Sequence, residues 1–274
     1  ASSGLPNLGN TCYANTVFQT LYHIQPFREL ARKKFQEFAE KKKKFQEFEK
    51  DKEKIEEFEQ NNKPLLARLD DLFLSMEKKD GEKEFKLKEI KGVIGDIFKK
   101  EMRDAVEFMT KILRKIEKDL NDQKSDDDSE EFRKIFHIDT YGSIVFFITE
   151  TKDEYTVQNL LKKHMPTENP DTRKTPEVLI LQMFIDSRTM NFETSEEITH
   201  KDTKYSLSQV GVFTGEDNSG HYYLFAKTEN NAWKEFNDMK KSDVGEKEVF
   251  EISPSHKGGE GRKAYYLVYT KNTA

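Results

Sequence analysis

Gly4-Leu-Pro-Asn-Leu-Gly-Asn-Thr-Cys12-Tyr-Ala-Asn-Thr-Val-Phe-Gln-Thr-Leu21 changes character halfway along. Gly4, Pro6, Asn7, Gly9 and Asn10 break regular structure and spell a tight loop. From Thr11 onward Ala14, Val17, Phe18, Leu21 and Tyr22 recur at a period of about 3.6, so a helix starts around the single cysteine of the chain. The unpaired N–H groups of a first helical turn carry partial positive charge, which favours a thiolate over a thiol. A structural cysteine belongs deeper in the apolar stripe. The loop-to-helix junction therefore makes Cys12 a candidate nucleophile as readily as a packing residue.

At 274 residues the chain can bury a substantial core. One cysteine excludes an intramolecular disulfide framework and a multi-cysteine zinc site, and it suits a reducing compartment. No metal or other cofactor is expected. No apolar run approaches bilayer-spanning length, and no basic-then-apolar leader precedes the loop. The chain starts almost on that loop, which reads as a domain cut from something longer. Asp and Glu number 51 against 46 Lys and Arg, so neither nucleic acid nor an anionic membrane is expected as a partner. The expectation is a soluble protein of the cytoplasm or nucleus.

Residues 1–120 read as a helical half, with apolar spacing of three and four in Leu65, Leu66, Leu69, Leu72 and Phe73 and again from Ala105 to Ile116. Within it, 33–60 is a charged insertion that repeats Lys-Phe-Gln-Glu-Phe at 34–38 and 44–48. A ten-residue repeat falls about 80° short of three helical turns, so the Phe stripe winds around the helix. The stretch reads as a charged helical arm or a helical hairpin. The simpler reading, an amphipathic helix resting on its own domain, is preferred over a partner-binding arm. Residues 121–131, rich in Asp and Glu, read as a mobile linker. Beyond them, 132–274 is β-rich, with runs at 143–149, 178–185, 206–214, 221–227 and 264–270. Helices first and strands second predict one α+β domain, a helical lobe packed on a mainly antiparallel sheet with chemistry in the cleft between.

A thiol nucleophile needs a base and a group that orients the base. Among six histidines, His23 is tied to the first helix, while His137, His164, His200 and His256 sit in polar or poorly patterned surroundings and read as surface or loop residues. His221 instead follows the glycine-bounded loop Gly215–Gly220 and opens the strand Tyr-Tyr-Leu-Phe-Ala. Sixteen residues on, Trp233-Lys-Glu-Phe-Asn237-Asp238 could pair antiparallel with it and bring Asn237 or Asp238 beside the imidazole. An ordinary hairpin with a turn-forming Asn-Asp fits the same spacing.

The stretch from Gly4 to Leu21 resembles the cysteine box of the ubiquitin-specific proteases, the papain-like deubiquitinases. Ser219-Gly-His221-Tyr-Tyr, Trp233 to Asp238 and Ala264-Tyr-Tyr-Leu-Val-Tyr269 are similar to the histidine box and C-terminal strand motif of that family. Arg103-Asp104-Ala-Val-Glu107-Phe108 resembles its acidic element, and Thr175 to Phe184 its strand before the histidine box. The resemblance implies a helical thumb on a β palm. Cys12 would attack the terminal-glycine carbonyl of ubiquitin, His221 would act as base and then acid, and Asn237 would orient the imidazole. It also implies Asn7 as side-chain donor to the oxyanion, and Asp238 as either a backup orienter or an oxyanion helper. Asp104 and Glu107 would meet the basic tail of ubiquitin, Tyr222 would wall the tail channel, and Gly220 would belong to a cleft loop that moves on binding.

The sequence departs from that family in five ways, one of them Leu181-Gln-Met-Phe184 in place of a more basic strand end. Neither Cys-x-x-Cys zinc pair is possible, so a reduced, metal-free fingers element is expected. Arg103 stands for the usual Gln, Ala14 for a usual Met, and the Phe- and Lys-rich arm is extra. Ubiquitin or ubiquitinated proteins are the partners the resemblance implies, with the 33–60 arm a further protein-binding candidate. Two alternatives stay open: a protease for another ubiquitin-like modifier, and a catalytically silent ubiquitin-binding module.

Overall fold

The computed structural model describes residues 2–78, 81–98, 104–149, 156–164, 174–185, 193–215, 219–252 and 261–273. Arg103, His256, the centre of the 215–220 loop, and residues 150–155 and 165–173, in the region where the reduced fingers element is expected, lie outside these residues. The helical half contains α1 (Cys12–Tyr22), α2 (Gln25–Phe48), α3 (Lys52–Asn62), α4 (Leu65–Glu77), α5 (Lys83–Val93), α6 (Ala105–Asp122) and α7 (Asp126–Phe136). The strands are β1 (Val145–Thr149), β2 (Val178–Phe184), β3 (Glu197–His200), β4 (Thr203–Thr214), β5 (His221–Lys227), β6 (Trp233–Asn237), β7 (Lys240–Asp243) and β8 (Arg262–Lys271). Two short helices, α8 (Val157–His164) and α9 (Glu246–Glu251), interrupt them. The sheet runs β1-β2-β8-β4-β5-β6-β7 with β3 added to β4; among the described strands only β1 and β2 pair in parallel.

Alternation along the strands separates two cores. Val178, Ile180, Leu224, Tyr266 and Val268 face the helices, whereas Leu179, Leu181, Phe225, Leu267 and Tyr269 build the opposite core with α8 and α9. Both sheet faces are covered, which is why Val178 to Met183 is one unbroken buried run. α1 lies between helices and sheet, buried from Tyr13 to Tyr22, with Cys12 at its one partly exposed end. Polar bonds pin it there: Thr20 Oγ1 lies 2.6 Å from Tyr266 Oη, and Gln209 Nε2 donates to the Thr20 carbonyl at 3.1 Å. The helix carrying the thiol is thus among the most rigidly held elements.

The charged insertion is a helical hairpin. Phe58 of α3 stacks on Phe45 and Phe38 of α2 at 4.2 and 6.3 Å between ring centroids, and Lys42 pairs with Glu59 at 2.8 Å. The winding of the Phe stripe leaves Phe48, at the end of α2, 89% exposed.

The acidic stretch 121–131 is not a linker. α6 runs through Asp122 and α7 begins at Asp126, with Asp126, Asp127 and Asp128 in its first turn, where the helix dipole favours negative charge. Asp128 is buried and accepts from Lys33 at 2.6 Å, Lys34 at 2.9 Å and Ser125 Oγ at 2.6 Å. Burial raises its pKa, but these bonds outweigh burial and bring it down to about 2. Because the folded value is depressed, the stabilisation is complete above the ordinary aspartate range and is lost as pH falls towards 2. Asp128→Ala strands the buried Lys34 with only Glu37 as partner. We expect a loss of about 3 kcal/mol in urea unfolding at neutral pH, shrinking markedly towards pH 2.

Candidate active site

The loop before α1 is built around one side chain. Asn7 Oδ1 accepts from the Gly9 N–H at 2.8 Å, and from the N–H and hydroxyl of Thr11 at 3.4 Å. These donors fix the amide oxygen inward and so turn Nδ2 outward. Gly9 and Asn10 take left-handed backbone angles, as a glycine and an asparagine can, and the chain then enters α1 at Cys12. Gly4 has a separate task. A Cβ there would lie 2.4 Å from the Asp238 and Met239 backbone, where Leu5 N–H donates to the Asp238 carbonyl at 2.9 Å. The cysteine loop is thereby sewn onto the turn between β6 and β7.

That turn belongs to the hairpin expected from the sequence. Leu224 pairs opposite Phe236, and continuing this register puts Asn237 diagonally across from His221. His221 Nε2 donates to Asn237 Oδ1 at 2.6 Å, which leaves Nδ1 for the sulfur. The hydrogen bond with Cys12 is the main influence on this imidazole; burial opposes it, and Asn237 supports it. The pKa is pushed up to about 9. Cys12, His221 and Asn237, far apart in sequence, therefore share one pocket.

Asp238 sits beyond Asn237 with φ of +48°. One carboxylate oxygen accepts from Asn7 Nδ2 at 3.2 Å, and the other from Asn15 Nδ2 at 2.9 Å. Asp238 is thus hydrogen-bonded to the proposed oxyanion donor and not to the imidazole, although its charge adds to the upward push on His221. Asn15 is a site residue that motif and spacing do not single out. It is buried one turn after Cys12 and also donates to the Pro6 carbonyl at 3.0 Å. Its one signal in the chain is an amide at i+3 from the thiol, on the same helix face.

Asp104 caps α6. Its Oδ1 accepts from the Val106 and Glu107 N–H groups, and its Oδ2 accepts from Tyr265 Oη at 2.6 Å. Tyr222 hydrogen-bonds with Tyr265 and with the Ala105 backbone, so the residue next to His221 reaches the start of α6. Burial, reinforced by the Asp104 charge, pushes both tyrosine hydroxyls up and keeps them protonated. Glu107 points outward and pairs with Lys111 at 2.9 Å. A Cβ on Gly220 would lie 2.0 Å from the Phe213 ring, which packs on Tyr222 and Tyr265. Only glycine fits that approach beside the imidazole.

The other histidines differ from their expected setting in part. His137 and His200 are buried rather than on the surface, because the partners that satisfy them are distant in sequence: Glu117 at 2.5 Å and the Lys174 carbonyl at 3.1 Å. His23 Nδ1 lies 2.7 Å from the Gln19 carbonyl, and burial brings its pKa down to about 4.

The family model for ubiquitin carboxyl-terminal hydrolases matches residues 3–269. Ubiquitin carboxyl-terminal hydrolase 2 of Saccharomyces cerevisiae is 36% identical over 83 residues, which cover 28% of this chain and only 6% of that relative. In fold, the chain is similar to a solved SAGA Ubp8/Sgf11/Sus1/Sgf73 DUB module: TM-score 0.65, 18% identity, 99% of this chain and 68% of that one. The same module bound to ubiquitin aldehyde gives 0.61 and 18%, over 99% and 70%.

Proposed function

The chain belongs to the ubiquitin carboxyl-terminal hydrolase family, and from that footing we propose that it hydrolyses the bond after the C-terminal glycine of ubiquitin through Cys12, His221 and Asn237. The observation that carries this reading is the imidazole held between sulfur and amide, with Nε2 at 2.6 Å from Asn237. The sulfur, its proton held on His221, attacks the carbonyl and drives the carbonyl π electrons onto oxygen. That oxyanion is received by the second N–H of Asn7 and the backbone N–H of Cys12. As the C–N bond breaks, the imidazolium passes its proton to the departing amine. Neutral His221 then takes a proton from water, whose oxygen displaces the thiolate from the acyl-enzyme.

The tail of ubiquitin, Leu-Arg-Gly-Gly, would pass Tyr222 and Gly220. Since the Asp104 carboxylate is committed to its helix cap and Tyr265, Glu107 is the acid left to meet an arginine, and Lys111 would yield it readily at a surface. Ubiquitin and its relatives, each carrying a C-terminal electrophile, test the proposal. Wild type should form a covalent adduct with the ubiquitin probe, and Cys12→Ala should form none. Labelling by another modifier alone would reassign the substrate. A folded protein that no probe labels would be a silent module, and the proposal would fall.

A further inference from the structure

A cavity of about 610 Å³ lies at the opposite end of β4 and β8 from His221. β4 runs from Thr203 on its rim to Thr214 beside His221, which separates the two places by roughly 35 Å at the usual rise of a strand. Both halves of the molecule supply its walls: the last turns of α7, residues 174–177 before β2, the β3–β4 turn and the end of β8. Five cations line it, Arg133, Lys134, Lys174, Lys201 and Lys271, against two carboxylates, Glu130 and Glu177. Among these lining residues Pro176 is the single apolar one.

The carboxylates do not neutralise this set. Glu130 is taken by Arg133 at 3.1 Å, and Glu177 lies 3.9 Å from Lys271. Lys134 and Lys174 are exposed, and among the described residues neither has an ion-pair partner. Their backbones are fixed: the Glu177 N–H donates to the Lys134 carbonyl and the Lys174 N–H to the Ile138 carbonyl, both at 3.0 Å. Two exposed ammonium groups thus stand on hydrogen-bonded backbone beside a preformed hollow. The carbonyl end of α7 offsets part of the charge of Arg133 and Lys134, but Lys174 stands on no helix and receives no such offset.

We propose that this cavity binds a compact polyphosphate. Its volume suits a small molecule, its lining residues are almost all charged or polar, and its surplus positive charge calls for more than one anionic group. Ammonium groups on flexible stems suit phosphate oxygens. A bound polyanion would bridge α7 to the sheet and stabilise the fold by mass action.

Inorganic tripolyphosphate, titrated calorimetrically at about 0.15 M salt, is the test. Expected are saturable one-site binding and a raised Tm. Lys134→Glu/Lys174→Glu should weaken binding roughly tenfold or more, with ubiquitin-probe labelling unchanged. Lys41→Glu/Lys43→Glu, the same charge change on the exposed arm, should bind as wild type. Lys174→Gln alone should weaken binding about threefold, which covers the case of a double variant that does not fold. Absence of saturable binding, or equal weakening by the arm variant, would overturn the assignment.

Discussion

On the proposed mechanism, His221→Ala should lower kcat on a ubiquitin–fluorophore amide about 10⁴-fold or more, because the variant would lose both the base that holds the thiol proton and the acid that serves the leaving amine. The pH profile identifies the cause. The hydrogen bond with Cys12 leads, with Asn237 assisting against burial, in raising the imidazole to about 9. A raised value means that the imidazolium persists through neutral pH. Steps needing that proton therefore hold below about 9 and fail as pH rises through it. Asn237→Ala removes the oxygen at 2.6 Å and should move this alkaline limb down towards the ordinary histidine range, with kcat lower by about 10²-fold. Direct titration of the imidazole in Cys12→Ala should show a larger drop, since the sulfur is the main cause. A limb that stays in place in Asn237→Ala would remove the amide from the mechanism.

Much of this candidate site is legible in the amino-acid sequence. Cys12 stands out because turn residues give way abruptly to helical spacing, and His221 because a glycine-bounded loop meets a β run. Asn237 follows from hairpin spacing, although spacing alone does not separate it from Asp238. The features that stay hidden all depend on partners distant in the chain. Asp128 looks solvated in a run of acids until Lys33 and Lys34 arrive from α2. His137 looks like a loop residue until Glu117 meets it. β7, Lys-Lys-Ser-Asp, has no apolar alternation, and only backbone pairing with β6 makes it a strand. The two roles open to Asp238 are likewise undecidable from local pattern, because its bond to Asn7 spans 231 residues.

That bond supports the second large effect. Asp238→Ala removes the acceptor shared by Asn7 and Asn15, so the outward N–H of Asn7 loses its aim while the backbone loop stays tied by the Leu5 bond. A preorganised oxyanion donor is worth about 3–4 kcal/mol, so kcat should fall between about 10²- and 10³-fold with KM little changed. Asn7→Ala should cost as much, and the double variant scarcely more than either, since Asp238 acts through Asn7. Asp238→Asn sharpens the test. Asparagine tolerates the left-handed backbone at this position, but its amide offers one acceptor where two donors converge. Either Asn7 or Asn15 then faces an N–H instead of an oxygen, so this near-isosteric change should recover little of the loss. Recovery to near wild type in Asp238→Asn, or multiplicative losses in the double variant, would show that Asp238 does not work by aiming Asn7. A KM that rises in step with the fall in kcat would instead make the carboxylate part of substrate binding.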